Sequence, residues 1–265
     1  MGRDVRDKAV APCLKVEGVS KSFRVNRHRV KALERISFEV RTGEALGILG
    51  PSGCGKTTLL NIIAGFLPHD EGRVLMHQQP VTRPGPERGV VFQEDALFPW
   101  LTVAENVGFG LRNGHGKGDR KGKVERMLGL VGLEGYGRYL PRAISGGMKQ
   151  RVALARVLVL GPAALLMDEP FAALDAQTRA DMHALLISLQ RRLRQTVVFV
   201  THDLEEAVKL ADRVLVMEKS PGRLRQEFAV ELPRPRDLDS PEFLDIKRSI
   251  YGSLCGCGGD LPADS

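Results

Sequence analysis

The stretch GPSGCGKTT, Gly50–Thr58, has the spacing of a phosphate cradle. Gly50, Gly53 and Gly55 let backbone N–H groups face phosphate oxygens, with Pro51, Ser52 and Cys54 between them. Lys56 reaches the β- and γ-phosphates of a nucleotide, Thr57 offers a hydroxyl to Mg²⁺, and Thr58 backs up the phosphate contacts. The context fits the motif: an apolar strand, EALGILG, precedes it and an apolar helical run, TTLLNIIAGF, follows. Cys54 lies near a helix N-terminus, a setting that lowers a thiol pKa. For native function it reads as an incidental small residue; as a chemical handle it is expected to be alkylated readily and protected by nucleotide.

A second set of polar residues falls where apolar strands end. ALLMDEP, Ala164–Pro170, is a buried-strand pattern finishing in two acids, and a buried strand does not end in carboxylates without a reason. Asp168 is placed to hold Mg²⁺, usually through water, and Glu169 to polarise a water attacking the γ-phosphate. Gln93 closes RGVVFQ and His202 closes VVFVTH, so both should line the same strand-end crevice. A further anion site is predicted at Ser145, Gly146 and Gly147, where a serine and two glycines open the helical run MKQRVALARVLVL. One chain thus carries two phosphate-binding helix starts.

These residues need a frame, and the hydrophobic rhythm supplies one. Residues 14–49 read as strands, with alternation at Leu33, Ile36, Phe38 and Val40. Residues 95–145 read as a mostly helical insertion. From 147 onward helices and short apolar strands alternate, which argues for a mainly parallel sheet covered on both faces. DMHALLISLQRRL carries Met182, Leu185, Leu186, Leu189 and Leu193 on one predicted helix face. Asp203 and Glu206 have the spacing of a capping box. The pattern fades after about residue 232 into a proline-rich tail with one short helix candidate.

Composition narrows the setting. The 265 residues are 43% hydrophobic and 27% charged, a globular balance. The start, MGRDVRDKAVAPC, lacks the apolar core of a signal peptide. The most apolar run, VLVLGPAALLM, is too short to span a bilayer. The expectation is a protein kept in the cytoplasm that meets a membrane only through a partner. The net charge of +7 is scattered, so it reads as diffuse surface charge plus a site for a polyanionic nucleotide, and no nucleic-acid partner is expected. Cys255 and Cys257 are too closely spaced for a good chelate and read as part of a Gly-rich tail.

In this order, GPSGCGKTT, FQED, ISGGMKQR, LLMDEP, AALD and VTHD resemble the motif series of the ATP-binding subunits of ABC transporters over about residues 14–235. The resemblance implies an α/β fold: a P-loop NTPase (RecA-like) core with a mainly parallel sheet, an antiparallel β subdomain, and a helical subdomain inserted at about 95–145. Residues 236–265 would form a C-terminal tail. It also implies a head-to-tail homodimer that sandwiches two ATPs, in which Ser145, Gly146 and Gly147 serve the partner's γ-phosphate. By position, Lys56 and the Gly50–Thr58 backbone would bind phosphates, and Thr57, Gln93 and Asp168 would serve Mg²⁺. Glu169 would be the general base, His202 would contact the γ-phosphate, and Asp175 would cross the dimer interface. Phe23 would stack on adenine or is a core residue. Met148 departs from the glutamine usual at that place.

The segments GPERGVVFQEDALFPWLTV, SGGMKQR, HDLEEAVKLADRV and SPGRL resemble the importers of nitrate, sulfonate and taurine. Such a dimer would sit at the cytoplasmic face of the bacterial inner membrane. It would contact transmembrane permease subunits through residues 93–101 and serve a periplasmic solute-binding protein indirectly. Pro99 and Trp100 would touch the permease, unless the tryptophan is buried. An exporter ATPase, and a soluble ABC ATPase of DNA repair or translation, are the alternative readings.

Overall fold

The computed structural model describes residues 12–25, 28–92, 97–113 and 119–255. Strands β1 (Leu14–Val25) and β2 (His28–Val40) form an antiparallel ribbon, with Leu14 opposite Val40 and Val16 opposite Phe38. Leu33, Ile36, Phe38 and Val40 are all buried: the last three alternate, and a register shift at Arg35 (φ 51°) brings Leu33 to the same face. Then follow β3 (Ala45–Leu49), α1 (Lys56–Ala64), β4 (Glu71–Met76), β5 (Gln79–Pro80) and β6 (Arg88–Val91). The helical segment contributes α2 (Val103–Val107) and α3 (Arg120–Leu130). Next come α4 (Gly146–Leu158), β7 (Ala164–Asp168), α5 (Ala176–Leu193), β8 (Thr196–Thr201) and α6 (Leu204–Leu210). The series ends with β9 (Arg213–Glu218), β10 (Arg223–Ala229) and α7 (Pro241–Cys255).

The main sheet has the order β10-β9-β3-β8-β7-β6 and a smaller sheet the order β2-β1-β4-β5. In the main sheet β9, β3, β8, β7 and β6 run parallel, and β10 alone pairs antiparallel. Alternate residues of its strands feed two cores, the division a pleated sheet buried on both faces must make. Leu46, Ile48, Leu166, Val198 and Val200 pack with α1 and the small sheet. Leu49, Leu165, Met167, Val197 and Phe199 pack with α4, α5 and the helical segment. The crossovers leave the C-terminal ends of β3, β7 and β8 on one edge, where Asp168, Glu169 and His202 sit.

Three local expectations are corrected. In α5, Met182, Leu186 and Leu189 are buried, but Leu193 is 39% exposed and His183 is 5% exposed. Residues 191–194 are all exposed, so the arginine-rich last turn of α5 faces solvent and takes Leu193 with it. At α6, Asp203 accepts from the Glu206 N–H (3.1 Å), but Glu206 does not return to the Asp203 N–H. The complete capping box is at α2, where Thr102 and Glu105 exchange both bonds. Near the C-terminus, the expected short helix in a fading tail is the 15-residue α7, whose Phe243 and Ile250 are fully buried in the larger core.

Candidate functional site

β3 ends at Leu49 and releases the chain into the glycine-rich loop, which reaches α1 through Gly55 at φ 99°. Lys56 is 6% exposed, and its ammonium donates to the carbonyls of Gly50 (2.7 Å) and Pro51 (3.2 Å). The cation is thereby laid across the loop. Pro51, Ser52, Gly53 and Thr57 are exposed on the rim, and Thr58 is half-buried. Cys54 departs from expectation. Its side chain is 1% exposed in the core beneath the loop, and burial pushes its thiol pKa up despite the nearby Lys56 charge. The reactive-handle reading fails, because the thiol faces inward while the helix start it was to exploit faces outward.

Sequence reasoning missed what holds this loop from behind. A Cβ on Gly222 would lie 2.1 Å from the Cys54 carbonyl oxygen, so the turn between β9 and β10 touches the loop backbone directly. Gly222 also donates to Ala32 (3.0 Å) and accepts from Glu34 N–H (2.9 Å). Its signal was the glycine of SPGRL, which reads from sequence only as a family likeness.

Asp168 and Glu169 emerge together at the end of β7. The Thr57 hydroxyl donates to Asp168 Oδ1 at 3.1 Å. Burial raises the Asp168 carboxyl above its usual range, the Thr57 hydrogen bond opposes this, and Glu169 and Lys56 act in opposite directions. A hydroxyl and a carboxylate side by side form an oxygen donor set suited to Mg²⁺. Among the described residues no cluster of three His, Cys, Asp or Glu could hold a metal unaided. An ion here would complete its shell with phosphate and water. Glu169 has φ 43°, a left-handed conformation that costs a non-glycine residue about 1–3 kcal/mol. Its N–H donates to Val200 O (3.1 Å), which ties the strained turn to β8. Its carboxylate Oε2 lies 3.0 Å from Nδ1 of the exposed His202. Glu169, His202, Thr57, Asp168 and Lys56 thus converge on one sheet edge.

The other predicted anion site lies at the start of α4. Ser145 is its N-cap, with its hydroxyl accepting from Met148 N–H at 3.3 Å. Ser145 and Gly146 are exposed, and a Cβ on Gly146 would meet open space. A Cβ on Gly147 would meet Thr178 Cγ2 at 2.6 Å, so that glycine lets α4 touch α5. Asp175 caps α5, accepting from Thr178 N–H at 3.0 Å. That bond and the Thr178 hydroxyl hold its carboxyl below the usual range. Among the described residues no hydrogen bond joins Ser145, Gly146 or Gly147 to the glycine-rich loop. Met148 is half-buried against the core.

Phe23 is 38% exposed on β1, with the Lys21 ammonium 5.7 Å from its ring centre, so it is no core residue. Trp100 is 72% exposed and tilts against Phe98 at 5.7 Å, which removes the buried reading. Phe98 also packs on Phe109 at 4.3 Å. The fully buried Asn106 amide bonds the Phe98 and Leu101 backbone and fixes this aromatic corner. Pro99 is exposed beside it. Gln93 and Cys257 lie outside the described residues.

Residues 33–172 match the family model of the ABC transporter. The chain belongs to that family, as an ATP-binding cassette. The cassette is 49% identical over 242 residues to an uncharacterized ABC transporter ATP-binding protein of Methanocaldococcus jannaschii, across 91% of each chain. It is 41% identical over 237 residues to the aliphatic sulfonates import ATP-binding protein SsuB of Bacillus cereus, covering 89% of this chain and 93% of that one. Among solved structures, a dimeric post-hydrolysis ATP-binding cassette bound to ADP and Pi aligns with a TM-score of 0.70 at 30% identity. That match covers 83% of this chain and 100% of the other. The cassette is accordingly an ATP-hydrolysing transporter subunit with the P-loop α/β fold. No helix among the described residues is long and apolar enough to cross a membrane.

Proposed function

We propose that the cassette powers import of small organic sulfonates, taurine among them, with nitrate-type anions as the neighbouring substrate class. It acts as a head-to-tail homodimer. The observation that carries this reading is the division of the site: Lys56, Thr57, Asp168, Glu169 and His202 form one wired half, while Ser145 and Gly146 stand exposed elsewhere on the surface. The 41% identity to the sulfonate import protein supports the substrate class.

In the proposed cycle, adenine stacks on Phe23, and the backbone of Gly50–Thr58 with Lys56 holds the phosphates. Thr57, Asp168 and Gln93 hold Mg²⁺, which supplies charge neutralisation at the phosphates. Glu169 takes a proton from the attacking water, a contribution of about 10²–10⁴-fold. His202 orients that carboxylate and contacts the γ-phosphate. The partner's signature segment closes over the same phosphate, and Asp175 lies at the seam between copies. Trp100 and Pro99 present the 93–101 region to a permease, since exposed clustered aromatics mark interaction surfaces. The dimer thereby sits peripherally on the cytoplasmic face of the bacterial inner membrane, fed indirectly by a periplasmic binding protein.

Glu169→Gln tests the core of this reading. Turnover should fall at least about a hundredfold, and an ATP-bound dimer should accumulate on size exclusion. Unchanged turnover would remove Glu169 as the base. Stimulation of the reconstituted transporter's ATPase by binding-protein ligands, sulfonates against nitrate, tests the substrate class.

A further inference from the structure

The turn that presents His202 is closed by hydrogen bonds around it. The Thr201 hydroxyl donates to Glu206 Oε2 (3.2 Å) and accepts from Asp203 N–H (3.0 Å), while Asp203 Oδ1 accepts from Glu206 N–H (3.1 Å). Thr201 and Glu206 are 2% and 6% exposed, whereas His202 between them faces solvent. Helix α6 has no need of this arrangement, because Asp203 already caps it. A glutamate in the first turn of a helix ordinarily stays in water, and burying one is costly unless it has a task. Here the Thr201 hydroxyl stands between the carboxylate and the Asp203 N–H. The buried acid therefore holds the Thr201 hydroxyl, and that hydroxyl in turn holds the Asp203 N–H on the far side of the histidine.

A second feature points the same way. Among the described residues Glu206 Oε1 is buried with no hydrogen-bond partner, and so is Nε of Arg179. The Arg179 charge acts on Glu206, and its Nη2 donates to the Leu174 carbonyl (2.9 Å), just before Asp175. The carboxylate thus lies beneath the His202 turn and within electrostatic reach of the residue that anchors the Asp175 turn.

We infer that Glu206 is a positioning residue: through the Thr201 hydroxyl it fixes the 201–203 backbone and so aims the His202 imidazole at Glu169. This rests on the role proposed for His202. The test is steady-state ATP hydrolysis by the full chain, with Glu206→Leu, Glu206→Gln, Thr201→Val and Thr201→Ser compared in the native and His202→Ala backgrounds. Glu206→Leu and Thr201→Val each remove the bond and should lower kcat about tenfold with KM for ATP within about twofold. Glu206→Gln and Thr201→Ser keep an acceptor and a donor and should restore most of kcat. In His202→Ala the tenfold effect should vanish. An equal loss in that background, a loss confined to KM, or failure of both conservative variants to rescue would overturn the inference. Should Glu206→Leu not fold, Thr201→Val carries the same expectation with a near-isosteric side chain. If His202→Ala itself leaves turnover intact, the role of His202 fails and this inference with it. If His202→Ala is slow but Glu206→Leu and Thr201→Val are not, the inference alone fails.

Discussion

The glycine-rich edge and the start of α4, the two helix starts assigned to phosphate in the proposed cycle, are prepared in opposite ways. At the first, polar side chains have partners inside the chain: Lys56 on the Gly50 carbonyl, Thr57 on Asp168, His202 on Glu169. At the second, Ser145 and Gly146 are exposed, and the glycine N–H groups look out from a helix end whose dipole favours anions. Preorganised charge is effective where bonds break. A helix end left bare is useful where something must arrive. In the proposed dimer this difference divides one task between the two helix starts, the first for the chemistry and the second for a docking event.

The largest effect should come from spoiling the waiting half. Ser145→Arg should cut hydrolysis by about 10³-fold while leaving ATP binding to the single chain nearly intact, as measured by calorimetry. Collapse of that binding would place the α4 start in its own chain's site and end the contrast.

Next in size is a pH effect in the support of the wired half. Burial, with Asp203 second, pushes Glu206 up to about 7, so the folded state holds a proton the unfolded chain releases near 4.5. Its contribution to stability is lost as pH rises between those values, by up to about 3 kcal/mol. Burial pulls His183 down to about 4, with Lys209 and Arg179 adding to the shift. The folded state keeps that imidazole neutral, so its contribution is present above about 6.5 and is lost as pH falls toward 4, by a similar amount. The two slopes oppose one another. Urea unfolding from pH 5 to 7 should be nearly flat in the native chain and should rise with pH in Glu206→Gln. Identical profiles in the two chains would show that Glu206 is not held protonated by its surroundings.

Smaller is the effect that separates the two glycines. Gly147→Ala should lose about 1–3 kcal/mol of stability in urea through its clash with Thr178. Gly146→Ala, which faces open space, should cost less than about 0.5 kcal/mol. Equal losses would mean that α4 and α5 are not in firm contact. Smallest is a labelling rate: Cys54, buried under the loop, should be alkylated at least about tenfold more slowly than the exposed Cys255. Comparable rates would show that the loop opens.

How much of this was legible follows from how local each signal is. The cradle and the acids ending β7 are short patterns whose chemistry is fixed by residue type, and the sheet edge gathers them as expected. Gly222 was hidden because its partner, the Cys54 carbonyl, is remote in sequence and is a backbone atom. Glu206 was hidden for a subtler reason: its spacing from Asp203 already satisfied a local rule, so nothing prompted a search for Thr201. In α5 the periodic stripe marked a face but could not tell that the helix end leaves the core, nor that His183 would pack edge-on against Phe171 at 4.8 Å.

The contact of Gly147 with Thr178 has a consequence for assembly kinetics. It fastens the tip carrying Ser145 to the tip carrying Asp175. In the proposed dimer both tips reach the opposite copy as one rigid prong, so association should proceed as a single docking step with no separate ordering of each loop.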